Sequence, residues 1–240
     1  MSRPSRSARL GPFALLAVLA LAAPARATDL AALLAALDEN ARFDPPVRAE
    51  VTFETKRPTG PVTSTLVLYG RGRTVRVELP DGRRGLAKPG KCVFAPAGGV
   101  PKAVREQVVG SSAFLLEDLV PFTASWLRVP LISDEGPAGV VVAGEPRQPS
   151  PYVLVALTVP PDRPLVTAAK YYRWEVTNLT KMTRVTETAE VGGHWRPVVM
   201  DFQDLGPGGD TTTITFNWHE HPDLPAVAFT PSGLATPIPR

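Results

Sequence analysis

One cysteine, Cys92, and three histidines, His194, His219 and His221, are the whole supply of thiol and imidazole groups in this chain of 240 residues. A single cysteine excludes an internal disulfide, and Cys92 is expected as a small buried hydrophobe. His219-Glu220-His221 is the only cluster with ligand character, because residues i and i+2 of a strand share a face. It continues the outward side from Asn217 and ends at Pro222, so a solvated strand end is expected and no metal is assigned. Catalytic groups are equally sparse. Ser111-Ser112 lacks the G-x-S-x-G frame of a nucleophile elbow. Asp81-Gly82 and the Gly206–Gly209 stretch read as turns, with no following helix to receive a phosphate. Glu117 and Asp118 are neighbours in sequence and cannot converge as an acid–base pair on a helix. No catalytic residue and no cofactor is expected, and the chain reads as a binding protein rather than an enzyme.

Charge excess and long apolar runs are also missing. The formal charge is +3, but Arg3, Arg6, Arg9 and Arg26 lie in residues 1–27, which hold no acid, so residues 28–240 carry −1. A nearly neutral domain offers no electrostatic reason to expect nucleic acid or acidic headgroups. The apolar run Phe13–Ala23 falls short of the ~20 residues of a membrane span. Basic residues before it and Ala25-Arg26-Ala27 after it fit a cleaved secretory signal. Residues 1–27 are therefore read as a signal peptide and 28–240 as one domain located in the periplasm. The 27 prolines are scattered among turns. Only the tail after Leu234 has a composition that suggests disorder.

What is present is one helix and many strands. Thr28 and Asp29 can cap a helix whose Leu30, Leu33, Leu34, Leu37 and Ala41 recur at helical spacing. Pro45-Pro46 ends it. From Val47 the period becomes two, with Val47, Ala49, Val51, Phe53 and Thr55 on one face. Leu66 and Leu68, then Val75 and Val77, follow the same rule around a turn at Gly70–Gly72. Gly85–Phe94 reads as one weaker strand. Later strands carry Tyr172, Trp174 and Val176, then Val198, Met200 and Phe202, then Ile214, Phe216 and Trp218 on their apolar faces. Clean alternation marks an antiparallel sheet with one packed face.

The region Pro101–Leu127 interrupts this pattern with GSSAFLLEDL at 110–119, read as a short helical plug of Phe114, Leu115, Leu116 and Leu119. Glu117 and Asp118 then serve as a cap or as a contact to an arginine. The ordering predicts an α+β fold: a curled, unclosed antiparallel half-barrel of about ten strands, with the N-terminal helix and a central helical lid on its concave side. The concave wall would carry Phe53, Leu66, Leu68, Val75, Val77, Tyr172, Trp174, Met200, Phe202, Phe216 and Trp218. With the four plug residues these form the candidate ligand-binding set. A cavity of several hundred cubic ångströms beneath the plug would suit an acyl chain, and a filled interior would not.

GSSAFLLEDL resembles the G-S-x-F-x-x-E-D-L signature of bacterial outer-membrane lipoprotein-sorting proteins, the LolA-like superfamily, and its uncharacterised periplasmic branch in particular. Tyr171–Val176, Trp195-Arg196-Pro197, Thr211–Ile214 and Phe229–Leu234 resemble further family motifs in the same order, so the likeness spans about residues 45–235. The resemblance implies a half-barrel that holds the acyl chains of lipoproteins or lipids between sheet and lid. It further implies an inner-membrane transporter and an outer-membrane acceptor as partners. A gating arginine of the carrier has candidates in Arg48, Arg71, Arg73 and Arg76. The alternative is a sensory or accessory module of an envelope complex that carries no cargo.

Overall fold

The computed structural model describes residues 28–110, 113–147, 150–206 and 209–238. The expected signal peptide with its cleavage site, and Ser111-Ser112, lie outside the described residues. In chain order come helix α1 (Leu30–Asn40), then β1 (Phe43–Lys56), β2 (Val62–Gly72), β3 (Thr74–Glu78), β4 (Arg84–Lys88), β5 (Lys91–Ala95) and β6 (Lys102–Val104). After an irregular stretch follow β7 (Leu127–Gly136), β8 (Gly139–Pro146), β9 (Leu154–Val159), β10 (Ala168–Tyr172), β11 (Leu179–Val191), β12 (His194–Asp204) and β13 (Thr211–Glu220).

All thirteen strands form one antiparallel sheet, in the order β6-β5-β4-β3-β2-β1-β13-β12-β11-β10-β9-β8-β7. Sheet neighbours are chain neighbours except at the centre, where β1 pairs with β13 from Val47↔Glu220 to Lys56↔Thr211. The sheet thus consists of two meanders joined by their first and last strands, with β6 and β7 as unpaired edges. The α+β class and the unclosed sheet are as the alternation predicts. The strand number is not ten, because Gly85–Phe94 is two strands and because β6 and β7 carry no clean alternation.

The helix is capped as its sequence requires. The Asp29 carboxylate accepts from the backbone N–H groups of Ala31 and Ala32, at 2.9 and 3.3 Å. Its Leu30, Leu33 and Leu34 pack on the β8–β10 half of the concave face, and Leu37 is buried.

The convex face is covered too, by the segment after β13. Leu224, Ala228 and Ile238 pack on Tyr69, and Leu234 packs on Leu86, Val93 and Ala95. Arg76 has no exposed surface; it donates to the carbonyls of Ala228 (2.8 Å), Gly233 (2.9 Å) and Thr236 (2.5 Å) and pairs with Glu78 at 2.6 Å. Arg84 donates to the Leu234 carbonyl at 2.7 Å, and Arg71 to that of Leu224. The tail expected to be disordered is therefore an ordered strap as far as Ile238. Composition alone hides this, because the strap is held through backbone carbonyls that any residue supplies.

Candidate functional site

The concave face carries two apolar clusters. One centres on β1–β5 with β12 and β13, and includes Phe53, Phe94, Met200, Phe202, Ile214 and Phe216. The other lies on β8–β10, with Val142, Val155, Leu157 and Tyr171 at its middle. The stretch between β6 and β7 crosses between them. Phe114 wedges between two sheet rings, 5.9 Å from Phe53 and 5.4 Å edge-on from Phe202. Such aromatic pairs contribute ~1 kcal/mol beyond their burial. Two glycines allow the close packing of crossing segment and sheet. A Cβ on Gly110 would lie 2.7 Å from the Phe53 ring, at a φ of +73°, and one on Gly85 would lie 2.8 Å from Leu116.

The plug is not the helix predicted. Leu115 bridges to Val108 in extended conformation, and only Leu116–Leu119 forms a 3-10 turn. Upstream, Val104 ends strand β6. The physical reason is tertiary. Phe114 and Leu116 both enter the sheet cluster while Leu115 joins the other one. An extended chain can split neighbours in this way and an α-helix cannot.

Asp118 anchors the turn. Its carboxylate accepts from the Leu115 N–H at 2.8 Å and from the Lys181 ammonium at 2.5 Å. Both side chains are nearly sealed, at 3% and 6% exposure. The Lys181 ammonium also sits 4.5 Å from the Tyr152 ring and 4.4 Å from that of Tyr171. Burial pulls the Lys181 ammonium down and the Asp118 charge opposes this. The anchor partner is a lysine from β11, not the arginine the sequence suggested. Glu117 has no such partner. Its Oε1 is buried without a hydrogen bond among the described residues, and burial, reinforced by the Asp118 charge, raises its carboxyl to about 8. Burial likewise pushes the Cys92 thiol up to about 12, in accord with the inert, buried cysteine expected.

Between the two clusters lies a cavity of about 150 Å³. Its floor is sheet, with Phe43, Leu68, Leu157, Ala169, Tyr171, Met200, Phe216 and Trp218. Its roof is the C-terminal end of α1 and the segment Glu117–Thr123 with Trp126. Besides the Asp118–Lys181 pair, polar contacts tie the parts of the roof to each other and to the sheet. Asp38 of α1 accepts from the Ala124 N–H at 2.6 Å and pairs with Arg73 at 3.6 Å. Asn40 donates to the Trp195 carbonyl (3.2 Å) and accepts from its N–H (2.8 Å). Arg196 of β12, 2% exposed, donates to the carbonyls of Asn40 (2.6 Å) and Arg42 at the end of the helix, where a cation complements the helix dipole. Burial lowers its guanidinium to about 10.

The fifteen predicted site residues divide. Phe53, Leu66, Leu68, Val75, Val77, Phe114, Leu116, Leu119, Met200, Phe202 and Phe216 are buried together in the first cluster, with Trp218 packed against it. Leu115 belongs to the second. Of these, Leu68, Leu119, Met200, Phe216 and Trp218 line the cavity. Tyr172 and Trp174 do not face the interior. Strand β10 ends at Tyr172, and the concave residue is Tyr171, 9% exposed. Trp174 lies in the turn at φ +61° and is 75% exposed, and Val176 is exposed as well. The charges of Arg173 and Glu175 favoured the phase of Tyr172, Trp174 and Val176, but the strand stops at Tyr172 and the residues that carried this signal lie in the turn before β11.

Of the four candidate gating arginines, Arg71 and Arg76 hold the convex strap, Arg48 pairs with Glu50 at 2.9 Å, and Arg73 reaches Asp38. Arg196, Lys181 and Tyr171, which shape the interior, were not nominated. Arg196 stood inside the quoted Trp-Arg-Pro motif, but no spacing marked it as inward-facing. His219 is exposed at its strand end, and His194 is half-buried with Nε2 3.1 Å from the Asp44 carbonyl oxygen.

A curled, unclosed antiparallel sheet around an apolar interior, roofed by one helix and an irregular crossing segment, defines a half-barrel with a sheltered cavity. No family model and no curated protein sequence matches the chain. Solved structures do. A LolA superfamily protein from Nitrosomonas europaea is 18% identical with a TM-score of 0.69, over 85% of this chain and 98% of that one. A candidate outer membrane lipoprotein-sorting protein domain from Vibrio parahaemolyticus is 14% identical with a TM-score of 0.70, over 85% and 97%. A DUF1329 family protein from Desulfovibrio piger is 18% identical with a TM-score of 0.62, over 84% and 98%. The fold of this chain is LolA-like. Among the described residues, no helix is long and apolar enough to cross a membrane.

Proposed function

We propose that the chain is a periplasmic carrier that holds acyl chains of lipoproteins or lipids in the concave cavity, for transfer toward the outer membrane. The observation that carries this reading is the largely apolar gap between sheet and roof, whose lining draws on both concave clusters. Each buried methylene contributes ~0.8 kcal/mol, so even a partly inserted chain helps to offset the loss of polar contacts that hold the roof. A volume of about 150 Å³ lies below the ~300 Å³ at which pockets for whole ligands begin. In this state the cavity admits a segment of chain, and a full chain requires α1 or the segment 120–126 to lift. The small volume equally favours the alternative of a cargo-free accessory module.

A fluorescent fatty acid separates the two. Saturable uptake, displaced by unlabelled lipid and abolished by Ala169→Trp, supports the carrier. Ala169 is 2% exposed and lines the cavity, so the indole fills it at an overpacking cost of about 1–3 kcal/mol, which a folded circular-dichroism spectrum would show to be tolerated. No uptake by the wild-type chain, together with no co-purifying acyl species in native mass spectra, excludes the carrier.

A further inference from the structure

Arg196 is a buried cation without an anion. Four contacts describe it: its Nη groups donate to the carbonyls of Asn40, Arg42 and Trp195, and its guanidinium carbon lies 4.6 Å from the Phe43 ring. Its Nε is buried with no hydrogen-bond partner, and no carboxylate pairs with it among the described residues. The helix dipole supplies only a partial negative charge at the end of α1, so capping accounts for the Nη donors and leaves the Nε donor and much of the charge without a counterpart. A buried charge with no counter-charge and an orphaned donor both oppose folding.

Arg196 also lines the cavity. The other charged groups around that cavity leave its positive sign standing. Asp118 is consumed by Lys181, Asp38 is turned to Arg73 and Ala124, and Glu117 lies where burial disfavours its charged form. Lys88, which borders the cavity and is exposed, is the cross-strand partner of Lys91 across the β4–β5 turn. Like charges placed directly opposite one another disfavour a hairpin and add to the positive rim.

We infer that the cavity takes a single-chain anionic amphiphile, its carboxylate or phosphate pairing with Arg196 while its chain lies on the apolar floor. This rests on the carrier reading and narrows it, because a fully acylated lipoprotein anchor presents no such charge beside its chains. The near-neutral total charge gives no hint of this preference, which comes from one arginine folded against an apolar wall.

Calorimetric titration of the full chain with decanoate, decan-1-ol and decyltrimethylammonium tests the inference. Decanoate should bind roughly 10- to 100-fold more tightly than the alcohol, and the cation weakest. With carboxyl-labelled [¹³C]decanoate, the bound carboxyl should titrate below the free acid. Arg196→Gln should bring the decanoate-to-decanol ratio near one, and Lys170→Ala, on an exposed position of β10, should leave it unchanged. Acetate and inorganic phosphate should fail to compete. Equal binding of all three amphiphiles, an unshifted carboxyl titration, or effective competition by acetate overturns the inference and leaves the carrier standing. No binding of any amphiphile removes both.

Discussion

Replacing Glu117 with glutamine should stabilise the protein, and by an amount that grows with pH. The wild-type carboxyl rises from an ordinary 4.5 to about 8 on folding. Between those values the folded state keeps a proton that the unfolded chain has lost. Stability therefore falls as pH rises through that window, is flat below it, and levels off above it. Each pH unit inside the window is worth about 1.4 kcal/mol for a fully decoupled group. Between pH 5 and pH 7.5 the loss is on the order of 2–3 kcal/mol, the opposing charges of Lys181 and Arg173 being already contained in the raised value. Glutamine keeps the shape of the protonated acid and cannot ionise. For a domain of this size, 1 kcal/mol moves the melting temperature by about 2–4 °C. The variant should thus melt close to wild type at pH 5 and roughly 4–12 °C above it at pH 7.5. Differential scanning calorimetry of both proteins across that range reads the gap directly. A gap that does not change with pH would mean that Glu117 is solvated and ordinary, and the sealed, unpartnered carboxyl described above would be wrong.

Three further outcomes are expected. Lys181→Ala leaves the Asp118 carboxylate buried without its cation and should cost about 3–5 kcal/mol in urea unfolding, whereas Asp118→Asn combined with Lys181→Met should recover most of it. Arg76→Ala removes the donor shared by the carbonyls of Ala228, Gly233 and Thr236; amide exchange should accelerate selectively over 226–238, with a stability loss on the order of 2–4 kcal/mol. Cys92, buried with its thiol raised to about 12, should react with a disulfide reagent at pH 8 only as fast as the protein opens, and at the rate of a free thiol in denaturant.

Much of the architecture follows from local pattern. Period-two alternation placed Phe53, Leu68, Val77, Met200 and Phe216 on the packed face, because a strand's side chains have no other freedom. Asp29 followed by leucines at helical spacing made α1 predictable for the same reason. The failures have physical causes as well. Tyr172 and Trp174 were placed on the wrong face because the alternation with Arg173 and Glu175 was read as strand, whereas β10 ends at Tyr172 and the β9 and β11 pairings, Tyr171↔Val155 and Tyr171↔Lys181, fix its real phase. The plug was given a helix because Leu115 and Leu116 were assumed to share one cluster.

By itself, then, the sequence determined the sheet, its packed face and the motif Gly110–Leu119 that crosses it, all of which depend on neighbours a few residues apart. Tertiary structure alone decided the interior chemistry. Lys181 meets Asp118 from 63 residues away, and Arg196 meets Asn40 from 156. Charges paired over such distances leave no periodicity in the chain. Their burial, which gives them their energetic weight, exists only once both halves of the sheet have closed around them.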